Sequence, residues 1–167
     1  MKREHNARLA RALATAGGVG YIPWAPGTWG TAVAVPLAYL TASWPLYSFV
    51  LLCALVIAVG IWAASGADRF WGTHDSGRIV IDEVAGYLVT VLLVDRSDVV
   101  LLVCGFVLFR FFDIVKPPPV RAIDQKLGGG TGVVLDDVAA GVMAAVVLLG
   151  IALALAGVPE QVRALVG

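Results

Sequence analysis

The stretch Leu46–Ala64, LYSFVLLCALVIAVGIWAA, decides the fold class, because nineteen consecutive residues carry no charge. A helix needs about 20 apolar residues to cross a bilayer, and this run meets that length. A second run of nineteen, Val138–Ala156, does the same near the other end of the chain. Between and before them lie three shorter runs: Thr31 to about Ser43, Ile79 to about Val94, and Val99–Val115. The 17 residues of Val99–Val115 approach spanning length, with Arg110 and Asp113 at the far end. The other two are short enough to be tilted, re-entrant or buried against neighbours.

The rest of the composition agrees. Of 167 residues, 59% are hydrophobic and only 14% charged, and the mean hydropathy is +0.87. Soluble domains carry about 25% charged residues, so too few charges remain here to cover a water-facing surface. The expected architecture is all-α: a polytopic membrane helical bundle of about five apolar helices, some short or re-entrant, forming a single domain over residues 1–167. The competing expectation is a greasy soluble bundle buried by oligomerisation, and a homo-oligomer is compatible with either. Net charge is zero, which gives no global field for nucleic acid. Cys53 and Cys104 sit singly inside apolar runs, as small core residues do.

Threading five crossings from a cytoplasmic N-terminus places residues 1–30, 65–78 and 116–137 on one side. Together with Arg110 at its helix end, that side then holds ten of the twelve Lys and Arg residues: Lys2, Arg3, Arg8, Arg11, Arg69, Arg78, Arg110, Lys116, Arg121 and Lys126. Arg96 and Arg163 fall opposite. This is the bias expected of cytoplasmic loops.

Four polar constellations punctuate the runs, all on that side. Pro23-Trp24-Ala25-Pro26-Gly27-Thr28 is a turn in which prolines set the backbone and glycine permits close approach to a ligand. Thr28 is expected to cap the helix that follows, whose free N–H groups favour an anion. The bland alternative, an ordinary capped loop, is favoured on local chemistry alone. Next come Asp75 and then Ile79-Val80-Ile81-Asp82-Glu83. Adjacent acids heading an apolar helix are costly to bury unless paired or metal-bound. Successive helical residues diverge by about 100°, so the two acids are expected to serve different partners. One of them alone would simply suit a helix N-terminus.

Third, Arg110, Asp113 and Lys116 recur at i, i+3 and i+6 before three prolines end the helix. This cation–carboxylate–cation stripe suits a metal with a phosphate, or else basic side chains reaching the interface around one internal ion pair. Fourth, the Gly128–Gly132 glycine run reads as a flexible or tightly turned loop matching no nucleotide-binding fingerprint, ahead of Asp136 and Asp137. Gly141, four residues past Asp137, permits close helix approach. Ile81-Asp82-Glu83-Val84-Ala85-Gly86 also echoes Leu135-Asp136-Asp137-Val138-Ala139-Ala140-Gly141, which would bring two acidic pairs to equivalent depths.

Asp82, Glu83, Asp113, Asp136 and Asp137, with Asp75 as a sixth, offer hard oxygen ligands beside basic residues, a set that suits Mg²⁺ and a phosphate. His5 lies in the tail and His74 in a loop, which disfavours zinc or histidine-nucleophile chemistry.

In order along the chain, Ala25-Pro26-Gly27-Thr28, Asp75 with Ile79–Glu83, Phe109–Pro119, and Gly129-Gly130 with Asp136–Gly141 resemble the motifs of the phosphatidylglycerophosphatase A family, from about Gly17 to Gly141. The resemblance implies a Mg²⁺-dependent lipid phosphatase converting phosphatidylglycerophosphate to phosphatidylglycerol and phosphate. Its site would face the cytoplasm from a multi-pass protein of the inner membrane. Metal ligands are then expected among Asp82, Glu83, Asp113, Asp136 and Asp137, with Asp82, Glu83, Asp113 and Asp137 catalytic. Pro26, Gly27, Thr28, Arg110 and Lys116 would bind the substrate, and an activated water is preferred to an aspartyl-phosphate intermediate. Three rivals are a histidine-based lipid phosphatase, a CDP-alcohol-type phosphotransferase and a small transporter. The first lacks suitable histidines, and the second lacks its regular acid spacing along one helix. The third would want its carboxylates at the midplane rather than at one face.

Overall fold

The computed structural model describes residues 2–73 and 76–156, and within them all regular structure is helical. Asp75, His74 and Arg163 lie outside the described residues. The elements are α1 (Lys2–Ala14), a 3₁₀ segment (Ala16–Tyr21), α2 (Pro26–Leu40), α3 (Leu46–Trp71), α4 (Ile81–Thr90), α5 (Val99–Val115), α6 (Val120–Lys126) and α7 (Gly129–Leu155). The five apolar runs correspond to α2, α3, α4, α5 and α7.

Two helices are long and apolar enough to cross a membrane: α3 with 26 residues and α7 with 27. Only 22% and 28% of their most apolar windows are buried inside the bundle, so neither is the enclosed core helix of a soluble protein. The outward stripes are apolar at helical spacing: Leu51 and Leu55 on α3; Val100, Val103, Val107, Phe111 and Ile114 on α5; Val142, Val146 and Leu153 on α7. An apolar stripe facing outward at that period is the surface a lipid solvent selects. The 17 residues of α5 extend about 26 Å, close to the ~30 Å of a hydrocarbon core.

The 10 residues of α4 reach only about 15 Å, half the bilayer core. It is instead enclosed by its neighbours. Every residue from Val84 to Thr90 is buried, and the Tyr87 hydroxyl donates to the Leu102 carbonyl of α5 at 3.0 Å. Its closest partner is α7, at the crossing of Gly86 with Gly141. A methyl group on Gly141 would collide with the Gly86 carbonyl oxygen, and one on Gly86 would strike the Asp137 carbonyl oxygen and the Phe109 ring. Thr90 seals the crossing by donating to the Gly86 carbonyl at 3.0 Å and to the Gly141 carbonyl at 3.4 Å. The sequence echo noted above is therefore a packing motif: in each helix an acidic pair precedes a glycine, and the two glycines bring the helices together backbone to backbone.

The glycine run departs from expectation. Gly129–Gly132 is the first turn of α7 rather than a loop, and the helix begins well before the apolar run at Val138. The reason is contact. A Cβ on Gly130 would strike the Ser65 amide nitrogen and the Ile61 carbonyl of α3, and one on Gly132 would strike the Leu127 carbonyl. These glycines let α7 pass close to α3 and to the preceding turn. Asp136 and Asp137 thus lie two turns inside the helix, not ahead of it.

Candidate active site

Five acids from three helices converge at the end of the bundle where α2 starts and α5 finishes. Asp82 and Glu83 occupy the first turn of α4, where negative charge complements the helix N-terminus. That turn is held by the Val80 amide, which donates to the Ala14 carbonyl at 2.8 Å. Asp113 lies near the end of α5, and Asp136 and Asp137 lie on α7 beyond its glycine turn. Asp82, Asp136 and Asp137 are 7%, 3% and 5% exposed. All five line one cavity of about 280 Å³ with Arg110, Lys116, Ala25, Pro26 and Gly27.

Within it the acids divide. One oxygen each from Asp82, Glu83 and Asp137 lies within 4.8 Å of the other two. Three carboxylate oxygens gathered this closely are the hard-donor set that would hold one Mg²⁺ ion. Asp113 instead sits 2.8 Å from Arg110 Nη1, and Asp136 sits 2.6 Å from Lys116 Nζ. The expectation that Asp82 and Glu83 would serve separate partners is thus modified. Both contribute to the trio, and Glu83 also stands 3.7 Å from Arg110.

Five carboxylates face two cations here, and two buried oxygens, Glu83 Oε2 and Asp136 Oδ1, have no hydrogen-bond partner. Buried carboxylates without compensation are strongly disfavoured. A divalent cation would supply the missing charge, and a donor set made only of oxygens would fit Mg²⁺ or Ca²⁺ rather than zinc. Among the described lining residues there is no histidine or cysteine.

The two cations differ. Arg110 is held between Asp113 and Glu83, yet its buried Nε and Nη1 lack aligned hydrogen-bond acceptors. Its guanidinium keeps donor capacity toward the cavity. Lys116 does not continue the stripe on α5. It caps the helix with φ +46° and turns away to bond Asp136 and, at 3.0 Å, Asp124. Burial opposes the Lys116 charge, but these two carboxylates outweigh it and raise its pKa above the ordinary lysine range. Asp124 was not anticipated. It is a lone acid on a short helix, and no local pattern distinguishes it.

The turn before α2 also departs in part. Ala25, in the left-handed region at φ +48°, is the N-cap, and Thr28 lies inside the first turn rather than capping it. Pro26 and Gly27 line the cavity, whereas Thr28 does not. Gly27 leaves the space that the Glu83 carboxylate and the Arg110 guanidinium occupy, since a Cβ there would displace them. The first-turn N–H groups of α2 have no side-chain cap and remain available to an anion.

An all-helical, membrane-associated chain with clustered acids, a donor-bearing arginine and an uncapped helix N-terminus has the makings of a phosphoryl-transfer enzyme. The family comparison makes this definite: residues 12–152 match the model of phosphatidylglycerophosphatase A. A phosphatidylglycerophosphatase A of Escherichia coli is 38% identical over 138 residues, covering 81% of this chain and 79% of that protein. One of Haemophilus influenzae is 36% identical over 140 residues, covering 83% and 86%. A Bacteroides thetaiotaomicron protein provisionally named a phosphatidylinositol-3-phosphatase is 39% identical over 137 residues, covering 78% and 85%. No solved structure matches the chain. The chain belongs to the phosphatidylglycerophosphatase A family and is a phosphatase, a hydrolase of phosphoric monoesters.

Proposed function

We propose that this protein hydrolyses phosphatidylglycerophosphate to phosphatidylglycerol and inorganic phosphate at the cytoplasmic face of the inner membrane, with Mg²⁺ as its resident ion. The observation that carries this reading is the trio of carboxylate oxygens from Asp82, Glu83 and Asp137 within 4.8 Å, flanked by the ion-paired Arg110 and Lys116. The relatives from Escherichia coli and Haemophilus influenzae, both named for this activity, support the substrate.

In this reading Asp82, Glu83 and Asp137 hold the ion. When bound, Mg²⁺ polarises the phosphoryl group and neutralises charge that develops on it. The Arg110 guanidinium, whose Nε has no acceptor, binds non-bridging oxygens of the terminal phosphate. Asp113 positions that guanidinium, and Lys116 does the same for Asp136 at the cavity wall. The N–H groups at the start of α2, where Gly27 lies against Glu83 and Arg110, add donors. A water oxygen attacks phosphorus, the P–O bond to the glycerol breaks, and the departing alkoxide takes up a proton. The acyl chains stay in the bilayer against the apolar outer face of α5. The ten Lys and Arg residues on the site's side of the threaded chain support a cytoplasmic orientation.

Phosphate release from phosphatidylglycerophosphate by the purified protein in mixed micelles tests the reading. Chelation should abolish release, and added Mg²⁺ should restore it. Folded protein that releases no phosphate, or releases it equally with chelator, would refute it.

A further inference from the structure

The substrate proposed above carries two phosphates: the terminal monoester that is removed and an internal diester one glycerol away. The carboxylate cavity has room for only one of them in electrostatic terms, since its five acids already outnumber its two cations. A second cavity of about 380 Å³ adjoins it. Both are lined by Pro26 and Gly77, so the turn that opens α2 forms part of the boundary between them. No carboxylate occurs among the described residues lining the second cavity, and its only charged side chain there is Arg78.

Arg78 differs from the other cations near the site. Arg110 and Lys116 are each held by two carboxylates. The Arg78 guanidinium lies 5.6 Å from the Trp71 ring centre and has no carboxylate partner among the described residues. Its backbone is nevertheless anchored. Gly20 packs against the Arg78 carbonyl so tightly that a Cβ would collide with it, and two residues later the Val80 amide is bonded to Ala14. A fixed backbone with a solvent-reaching guanidinium that has no carboxylate partner among the described residues suits capture of an anion arriving from outside. The remaining wall of this cavity includes Tyr21, which is exposed, and Trp24 beside it is exposed as well. Such residues favour the head-group level of a bilayer, where a lipid's diester sits.

We propose that the Arg78 cavity binds the internal phosphodiester of the same lipid head group, making Arg78 a specificity-determining residue for diphosphorylated lipids. The proposal rests on the substrate reading above. Steady-state hydrolysis of phosphatidylglycerophosphate by full-length wild-type and Arg78→Gln protein tests it. Phosphatidic acid, which has a monoester but no separate diester, is measured alongside as substrate or competitive inhibitor. Loss of one charge-assisted contact should raise KM for phosphatidylglycerophosphate roughly tenfold with kcat changed less than about twofold. The KM or Ki for phosphatidic acid should not move, and Arg78→Lys should recover part of the loss. An unchanged KM in Arg78→Gln, or an equal loss toward both lipids, would overturn the assignment. Wild-type protein inert toward phosphatidylglycerophosphate would instead refute the substrate reading itself.

Discussion

Arg96 and Arg110 are two largely buried arginines at opposite ends of the same bundle, and they are satisfied in opposite ways. Arg96 is 6% exposed and has no carboxylate partner among the described residues. It donates through Nη2 to the carbonyls of Thr41 at 3.2 Å and Trp44 at 3.1 Å, and its guanidinium stacks 3.9 Å from the Phe49 ring centre. Thr41 is the C-cap of α2, so the cation meets the negative end of a helix dipole and an aromatic face. Neutral partners from two segments stitch the loop after α2 to the loop before α5. Arg110, by contrast, lies among more carboxylates than the two cations can neutralise. Each arginine keeps a buried Nε without an acceptor, so the charge balance is what separates them. A cation met by neutral groups closes a structure. A cation inside an excess of acids leaves a site that still needs charge.

Four substitutions would break or sharpen that contrast. Asp137→Asn removes a member of the carboxylate trio and should lower kcat by about a thousandfold or more, while the helical signal and detergent-extracted yield stay at wild-type levels. A rate within tenfold of wild type would move the metal-binding trio elsewhere. Arg110→Gln should lower kcat/KM by roughly a hundredfold, with a smaller change in thermal midpoint. If it merely destabilised the protein, the distinction between the two arginines would collapse. Gly141→Ala should cost tens-fold in kcat through displacement of α4 from α7, because small misplacements of reacting groups reduce rate steeply. Its test is whether a smaller-than-wild-type rate accompanies the same response to added Mg²⁺ as wild type, since all the proposed ligands remain present. Arg96→Gln should leave the rate per folded molecule within about twofold. Its effect should appear in stability, at about 1–3 kcal/mol for unsatisfied buried partners, as earlier thermal unfolding in detergent.

Much of this was legible in the sequence because it depends on local chemistry. Nineteen uncharged residues at Leu46–Ala64 cannot form a soluble surface helix, and Asp82-Glu83 before an apolar run must be compensated wherever that run goes. The misreadings share one cause. Gly128–Gly132 looks like a loop if glycine is judged by conformational freedom. That freedom is used at Gly129, which takes φ +66°, but at Gly130 and Gly132 the use is the absence of a side chain against α3 and Leu127, which only the packed partner reveals. Thr28 has the chemistry of a cap, but Ala25 turns left-handed three residues earlier and starts the helix there. Lys116 is in register with Arg110 and Asp113 only while α5 continues, and the helix ends at Val115.

The sequence by itself determined an all-helical, strongly apolar chain, the gathering of its acids at one end of the apolar helices, and the residue types able to hold a cation and a phosphate. These follow from apolar run length, charge distribution and donor chemistry, none of which requires knowing a neighbour. The tertiary structure alone decided how the acids divide between a three-carboxylate cluster and two ion pairs. It also decided that α4 is a buried half-length helix and that Gly86 and Gly141 meet. Those outcomes depend on distances between residues far apart in the chain, and such distances are set by how closely backbones can approach.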